Sequence, residues 1–154
     1  MFARSSGYAV QALTHLAGQP SGKLVGAREM ATTLNIPMPF LWKILRKLGQ
    51  RKLVRSFKGV RGGYELARPA KTIHVAEILM AGRDTDQVGR CILGLAQCSD
   101  QEPCPLHSHW KDLRAQIEAT LETTTLADLA SRAKQARRKR SNRRHAPARV
   151  SSLS

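Results

Sequence analysis

Three cysteines and a histidine, Cys91, Cys98, Cys104 and His107, fall within one stretch of 17 residues. Thiolate and imidazole are the ligands of iron–sulfur clusters and of zinc, and soft sulfur donors select these over hard cations. Pro105 favours a helix beginning there, with Cys104 as its N-cap and His107 about one turn in on the same face. The positive end of that helix then faces a thiolate-rich, anionic centre. Gly94, Ser99, Asp100 and Pro103 keep the preceding segment a loop that can wrap a metal. An odd number of cysteines cannot pair entirely in internal disulfides. Thiols packed in a core suit Cys91 or Cys98, but Ser99, Asp100, Gln101 and Glu102 make the approach to Cys104 too polar for that. Structural zinc sites usually show a Cys-x2-Cys pair, whereas six and then five residues separate these cysteines. The spacing leans to iron and sulfur.

The elements that must position this loop come before and after it. At 154 residues the chain is one domain's length, with no apolar run that approaches membrane span, so the expectation is a cytoplasmic protein. The net charge of +15 is uneven. Residues 1–82 hold 13 Lys/Arg against 3 Asp/Glu (+10), residues 83–131 hold 4 against 8 (−4), and residues 132–154 hold 9 against none (+9). A basic half beside an acidic middle points to a polyanion held at one end, with nucleic acid as the candidate.

Apolar periodicity places a first helix from Ser5 or Ser6 to about Gly18, with Ala9, Leu13, Leu16 and Ala17 on one stripe. A second runs from Ala27 to Leu34, and Asn35, Ile36 and Pro37 break it. Pro39 opens a third, to about Gln50, whose Leu41, Ile44, Leu45 and Leu48 recur at i, i+3, i+4 and i+7. Lys43, Arg46 and Lys47 fall on its other side. Two short helices joined by a tight turn, the second basic outside, make a helix-turn-helix able to enter a major groove. Residues 53–57 then alternate as a strand, residues 58–63 turn, and Tyr64, Glu65 and Leu66 return. Lys58 and Arg61 at the tip can reach phosphates or a narrow minor groove, and Gly62 lets the backbone approach closely. The fold class expected is mainly α: a winged helix-turn-helix with a long C-terminal dimerisation helix. The expected DNA-binding residues are Arg28, Pro39, Lys43, Arg46, Lys47, Lys58, Arg61 and Gly62.

With these residues in place the chain resembles the Rrf-type winged-helix regulators of bacteria, which include the iron–sulfur regulator IscR. The resemblance covers roughly residues 1–131. It is carried by Tyr8, Ala9 and Val10; by the turn from Asn35 and Ile36 into Phe40 and Leu41; by residues 61–66 (RGGYEL); by residues 73–79 (IHVAEIL); and by the three cysteines. It implies a homodimeric, DNA-binding transcription factor, not an enzyme, whose cluster state alters binding to an operator, as a repressor. In IscR-like members a histidine after the third cysteine completes a 2Fe–2S site, and His107 matches it. Other members use an aspartate of the first helix on a 4Fe–4S cluster, but this sequence has no acidic residue before Glu29. The first cysteine gap is also six residues here, against five in IscR.

Beyond the loop, Leu106, Trp110, Leu113, Ile117 and Leu121 mark one apolar face of a helix from about Pro105 to Glu122. A chain this small has little left to cover that face, so a second copy is expected on it. Thr125 with Asp128 resembles a capping box opening a last helix to about Ala136. His109 is the weaker ligand candidate; His15 and His74 are read as structural. Residues 137–154 have almost no apolar content and read as a disordered basic tail that adds sequence-independent attraction to phosphates. The expected organisation is thus residues 1–82 for DNA, 83–104 for the cluster loop, 105–136 for dimerisation, and 137–154 as tail. Two rival readings remain: a zinc-stabilised or cluster-free winged-helix regulator, and a protein that coats nucleic acid without preference. The absence of a Gly-rich phosphate loop or a nucleophile with a paired base speaks against an enzyme.

Overall fold

The computed structural model describes residues 4–82, 93, 100–101 and 103–144, the last stretch without the side chains of 137 and 139–144. Six helices and one hairpin follow in order: α1 (Arg4–Ala17), α2 (Ala27–Leu34), α3 (Met38–Gln50), β1 (Val54–Phe57), β2 (Gly63–Leu66), α4 (Val75–Gly82), α5 (His107–Thr123) and α6 (Leu126–Arg144). The expected mainly α winged helix-turn-helix is what forms.

The apolar stripes dictate how it packs. α1 buries Ala9, Ala12, Leu13 and Leu16, and α3 buries the expected Leu41, Ile44, Leu45 and Leu48. With Met30, Leu53, Ile73 and Ile78 these fill one core. α1 packs on α4, α3 and α6, and α3 on α4, so the basic half is built around α1. Where α1 meets α4 there is no spare volume: a Cβ on Gly82 would lie 2.6 Å from the Ser6 Cα. Two side-chain bonds close this junction, Ser5 Oγ to the Gly82 carbonyl at 2.7 Å and Ser6 Oγ to the Leu79 carbonyl at 3.4 Å.

Asn35 makes the turn between α2 and α3. It sits in the left-handed region (φ 52°), where a short polar side chain is tolerated. The Ile36 N–H then reaches back to the Ala31 carbonyl at 3.0 Å, which satisfies the helix end and buries Ile36. Pro37 caps α3, and Leu41 N–H donates to its carbonyl at 3.1 Å. The hairpin pairs antiparallel in the register Val54↔Leu66 to Phe57↔Gly63. Its second strand is also stapled to the segment before α2, by Tyr64 N–H to the Val25 carbonyl at 2.8 Å and the reverse bond at 3.0 Å.

α6 returns to the core. The expected capping box is present: Asp128 Oδ2 accepts from the Thr125 N–H at 2.9 Å, and the Asp128 N–H donates to Thr125 Oγ1 at 3.2 Å. Leu126 behind it is fully buried, and its N–H donates to the Ile73 carbonyl at 2.8 Å. The helix continues to Arg144, eight residues past Ala136, where the basic tail was expected to be disordered. Lys, Arg, Gln and Ala are strong helix formers, and neither Gly nor Pro interrupts them before Pro147.

Candidate nucleic-acid interface and cysteine loop

Residues 30–64, which span α3, β1 and the start of β2, hold eight Lys/Arg and no Asp/Glu, and the hairpin's one carboxylate, Glu65, pairs with Arg55 at 2.8 Å. The core takes one face of α3, and Pro39, Lys43 and Arg46 are left exposed on the other. Lys47 is half-buried on the flank, and Arg28 is exposed at the start of α2. Lys58 and Arg61 are exposed in the hairpin turn, where Gly59 adopts φ 102° and the Gly62 N–H donates to its carbonyl at 3.0 Å. Gly62 is required sterically, since a Cβ there would stand 2.1 Å from the Phe57 carbonyl oxygen. The eight expected residues thus lie on α2, α3 and the wing.

Sequence reasoning missed the aromatic residues of this surface. Phe40 is 56% exposed and Trp42 57%. Trp42, Arg46 and Gly49 of α3 line a trough of about 430 Å³ with Ser56 and Tyr64 of the hairpin, so helix and wing present one continuous surface. The signal was available: both aromatics fall outside the i, i+3, i+4, i+7 positions that the core uses.

Of the four expected metal ligands, Cys91 and Cys98 lie outside the described residues. Cys104 is half-buried, and the His107 N–H donates to its carbonyl at 2.9 Å. Cys104 is not the N-cap of α5, and His107 is not a turn inside it. Pro105 and Leu106 form a tighter turn first, Leu106 caps the helix, and His107 is its first residue. His107 is buried to 9% exposure. Its Nε2 lies 2.7 Å from Asp100 Oδ1, and the Lys111 ammonium donates to both Asp100 oxygens at 3.0 Å. The His107 hydrogen bond, then Lys111, hold the Asp100 carboxyl below its usual range. Asp100 therefore ties the cysteine segment to α5 and fixes the imidazole, a role the sequence hinted at only as a loop-forming residue. His109 is exposed. Among the described residues no three His, Cys, Asp or Glu side chains gather in a way that could hold a metal ion.

Among the described residues, little covers the expected apolar face of α5. Leu106 and Leu113 are 44% and 52% exposed, Trp110, Ile117 and Leu121 are half-buried, and His107 is the helix's one buried residue.

Residues 2–132 match the model of Rrf2, iron-dependent transcriptional regulators. The chain belongs to the Rrf2 family. It is 35% identical over 131 residues to a candidate helix-turn-helix transcriptional regulator of Aquifex aeolicus, covering 84% of this chain and 90% of that one. A similarly named protein of Mycobacterium tuberculosis is 39% identical over 133 residues, 80% and 76% of the two chains. Among solved structures, the chain is similar to CymR, the global cysteine regulator of B. subtilis (TM-score 0.72, 22% identity, 85% of this chain and 96% of that one). It is also similar to T. potens IscR (TM-score 0.69, 26% identity, 88% and 90%). Rrf2 proteins are DNA-binding transcriptional regulators and not enzymes, which accords with the basic α3 and wing. No helix among the described residues is long and apolar enough to cross a membrane.

Proposed function

We propose that this Rrf2 regulator is a cytoplasmic homodimer that binds a double-stranded operator as a repressor, under control of an iron–sulfur cluster held by Cys91, Cys98, Cys104 and His107. The observation that carries the DNA reading is α3: its leucine face is consumed by the core while Pro39, Lys43 and Arg46 stand exposed beside a cationic wing. A helix so presented suits a major groove, with the wing on the adjacent backbone. Support for the dimer is the thinly covered apolar face of α5.

The donor set supports the cluster. Cys104 and His107 are neighbours at the start of α5, thiolates hold such clusters and imidazole can replace some of them, and the resemblance to IscR-like members implies the set of three cysteines and one histidine. The similarity to IscR points to 2Fe–2S in preference to 4Fe–4S. When bound, the cluster supplies a centre sensitive to iron supply, redox state or nitric oxide. The chain's own residues provide the route to DNA. His107 opens α5, α5 packs on α4, and α4 packs on α1 and α3. A change in how the first turn of α5 is held therefore reaches the recognition helix through packed elements.

The test is protein purified without oxygen and assayed for iron, acid-labile sulfide and zinc. Coloured protein with iron and sulfide is expected, and His107→Ala should alter its spectrum and shorten the cluster's lifetime. Stoichiometric zinc without sulfide would sink the cluster reading and leave the DNA reading intact.

A further inference from the structure

We propose that Trp42 is a specificity-determining residue that packs its indole against the C5 methyl group of a thymine in the major groove; this rests on reading α3 as the recognition helix. Trp42 is the fifth residue of α3, near the end that contacts base edges when such a helix enters a groove. It is 57% exposed, while Leu41, Ile44, Leu45 and Leu48 of the same helix enter the core. Two large aromatics, Phe40 and Trp42, left in water beside Lys43 and Arg46 suit a partner that is apolar at one point and anionic around it.

The surroundings narrow the choice. Trp42 forms one wall of the trough between α3 and the hairpin, over buried Leu45 and Val54. Arg46 and Ser56 supply polar groups on the rim, and no carboxylate lines it. At Gly49 a Cβ would meet nothing within 4 Å, so that side of the trough is open. The major-groove edge of B-DNA, apolar at a methyl group and flanked by phosphates, meets this description. Its phosphates suit Arg46, and the thymine methyl is the apolar group that its major groove offers for direct readout. Phe40 is as exposed, but it is not among the residues lining the trough. The cations alone cannot read a methyl group, so Trp42 adds preference for T·A over C·G at one position in each half-site.

The test uses the full-length protein and a duplex that it selects from a random pool. Each thymine is replaced in turn by deoxyuridine, which removes the methyl and leaves every hydrogen bond. One thymine per half-site should weaken wild-type binding by about three- to fivefold, the scale of one buried methyl. The same replacement should leave Trp42→Ala unaffected, and Trp42→Phe should retain part of the sensitivity. The uracil scan needs no change to the protein, so it stands even if a variant folds poorly. The proposal is overturned if no uracil distinguishes wild type from Trp42→Ala. It is equally overturned if Trp42→Ala weakens selected and random duplexes by one factor, which is the mark of backbone packing. Lys43→Ala and Arg46→Ala separate the two readings: loss of preference in them with a null result at Trp42 retains α3 and removes only this inference. A wild type that binds selected and random duplexes alike removes both.

Discussion

Replacing Gly62 by alanine should disable the wing while leaving the domain folded. The added Cβ would lie 2.1 Å from the Phe57 carbonyl oxygen, 2.8 Å from the Lys58 carbonyl carbon and 2.9 Å from that of Phe57. All three are backbone atoms, so no side chain can swing aside, and the turn itself must move. Overpacking of this kind costs about 1–3 kcal/mol. If the whole fold bore that strain, a chain of this size would lose roughly 2–4 °C in Tm per kcal/mol. The hairpin offers an easier release. From Arg55 to the tip, β1 is exposed, and the terminal pair Phe57↔Gly63 can open without emptying the core. We therefore expect a Tm within about 4 °C of wild type, with Lys58 and Arg61 displaced. Losing two phosphate contacts per protomer, four in the dimer, should flatten the slope of log affinity against log salt by about three to four. Fluorescence anisotropy on selected and random duplexes over a salt series, with thermal melts in parallel, reads both quantities. Unchanged affinity and slope would refute the reasoning: either the turn tolerates the methyl or the wing does not touch DNA.

Truncation after Ala136 removes Arg137, Arg138, Lys139, Arg140, Arg143, Arg144 and Arg149 but keeps Leu126 and Ala130, which dock α6 on the core. Titrations at two salt concentrations should show weaker binding to every duplex, a flatter salt slope and an unchanged operator preference. Glu77 links stability to acid pH. Burial pushes its carboxyl up, but the His74 backbone N–H and Arg68 outweigh this and hold it below its ordinary 4.5. A depressed folded value contributes stability above the unfolded value, and that contribution fades as pH falls through the folded one. Glu77→Gln should therefore lower Tm slightly at neutral pH and bring the variant and wild type together below pH 4.5, read by melts across the acid range.

The recognition helix was legible because its burial period is local: Leu41, Ile44, Leu45 and Leu48 state the face without knowledge of any partner. Asn35 and Pro37 marked the turn because left-handed φ and a missing N–H are properties of single residues. The start of α5 was less legible. A proline after Cys104 is compatible with a first helical residue or a preceding turn, and the choice depends on which carbonyl His107 reaches. Asp100 could not be singled out either, since its bonds to His107 and Lys111 span 7 and 11 residues and exist only once the loop has folded back. The exposed aromatics of α3 leave no mark in a charge pattern, which points only to cations. The extension of α6 to Arg144 has the opposite origin: low apolar content suits disorder, yet local propensity favours helix.

The central claim, cluster-controlled readout of an operator, is tested most directly by one titration. Protein purified without oxygen, and the same protein stripped of iron, are each titrated onto the selected duplex and a scrambled one at fixed salt. The account predicts that at least one form prefers the selected duplex, and that stripping changes this affinity by about tenfold or more while binding to the scrambled duplex hardly moves, a coupling of about 1.4 kcal/mol. Equal affinities of the two forms for the selected duplex would contradict it.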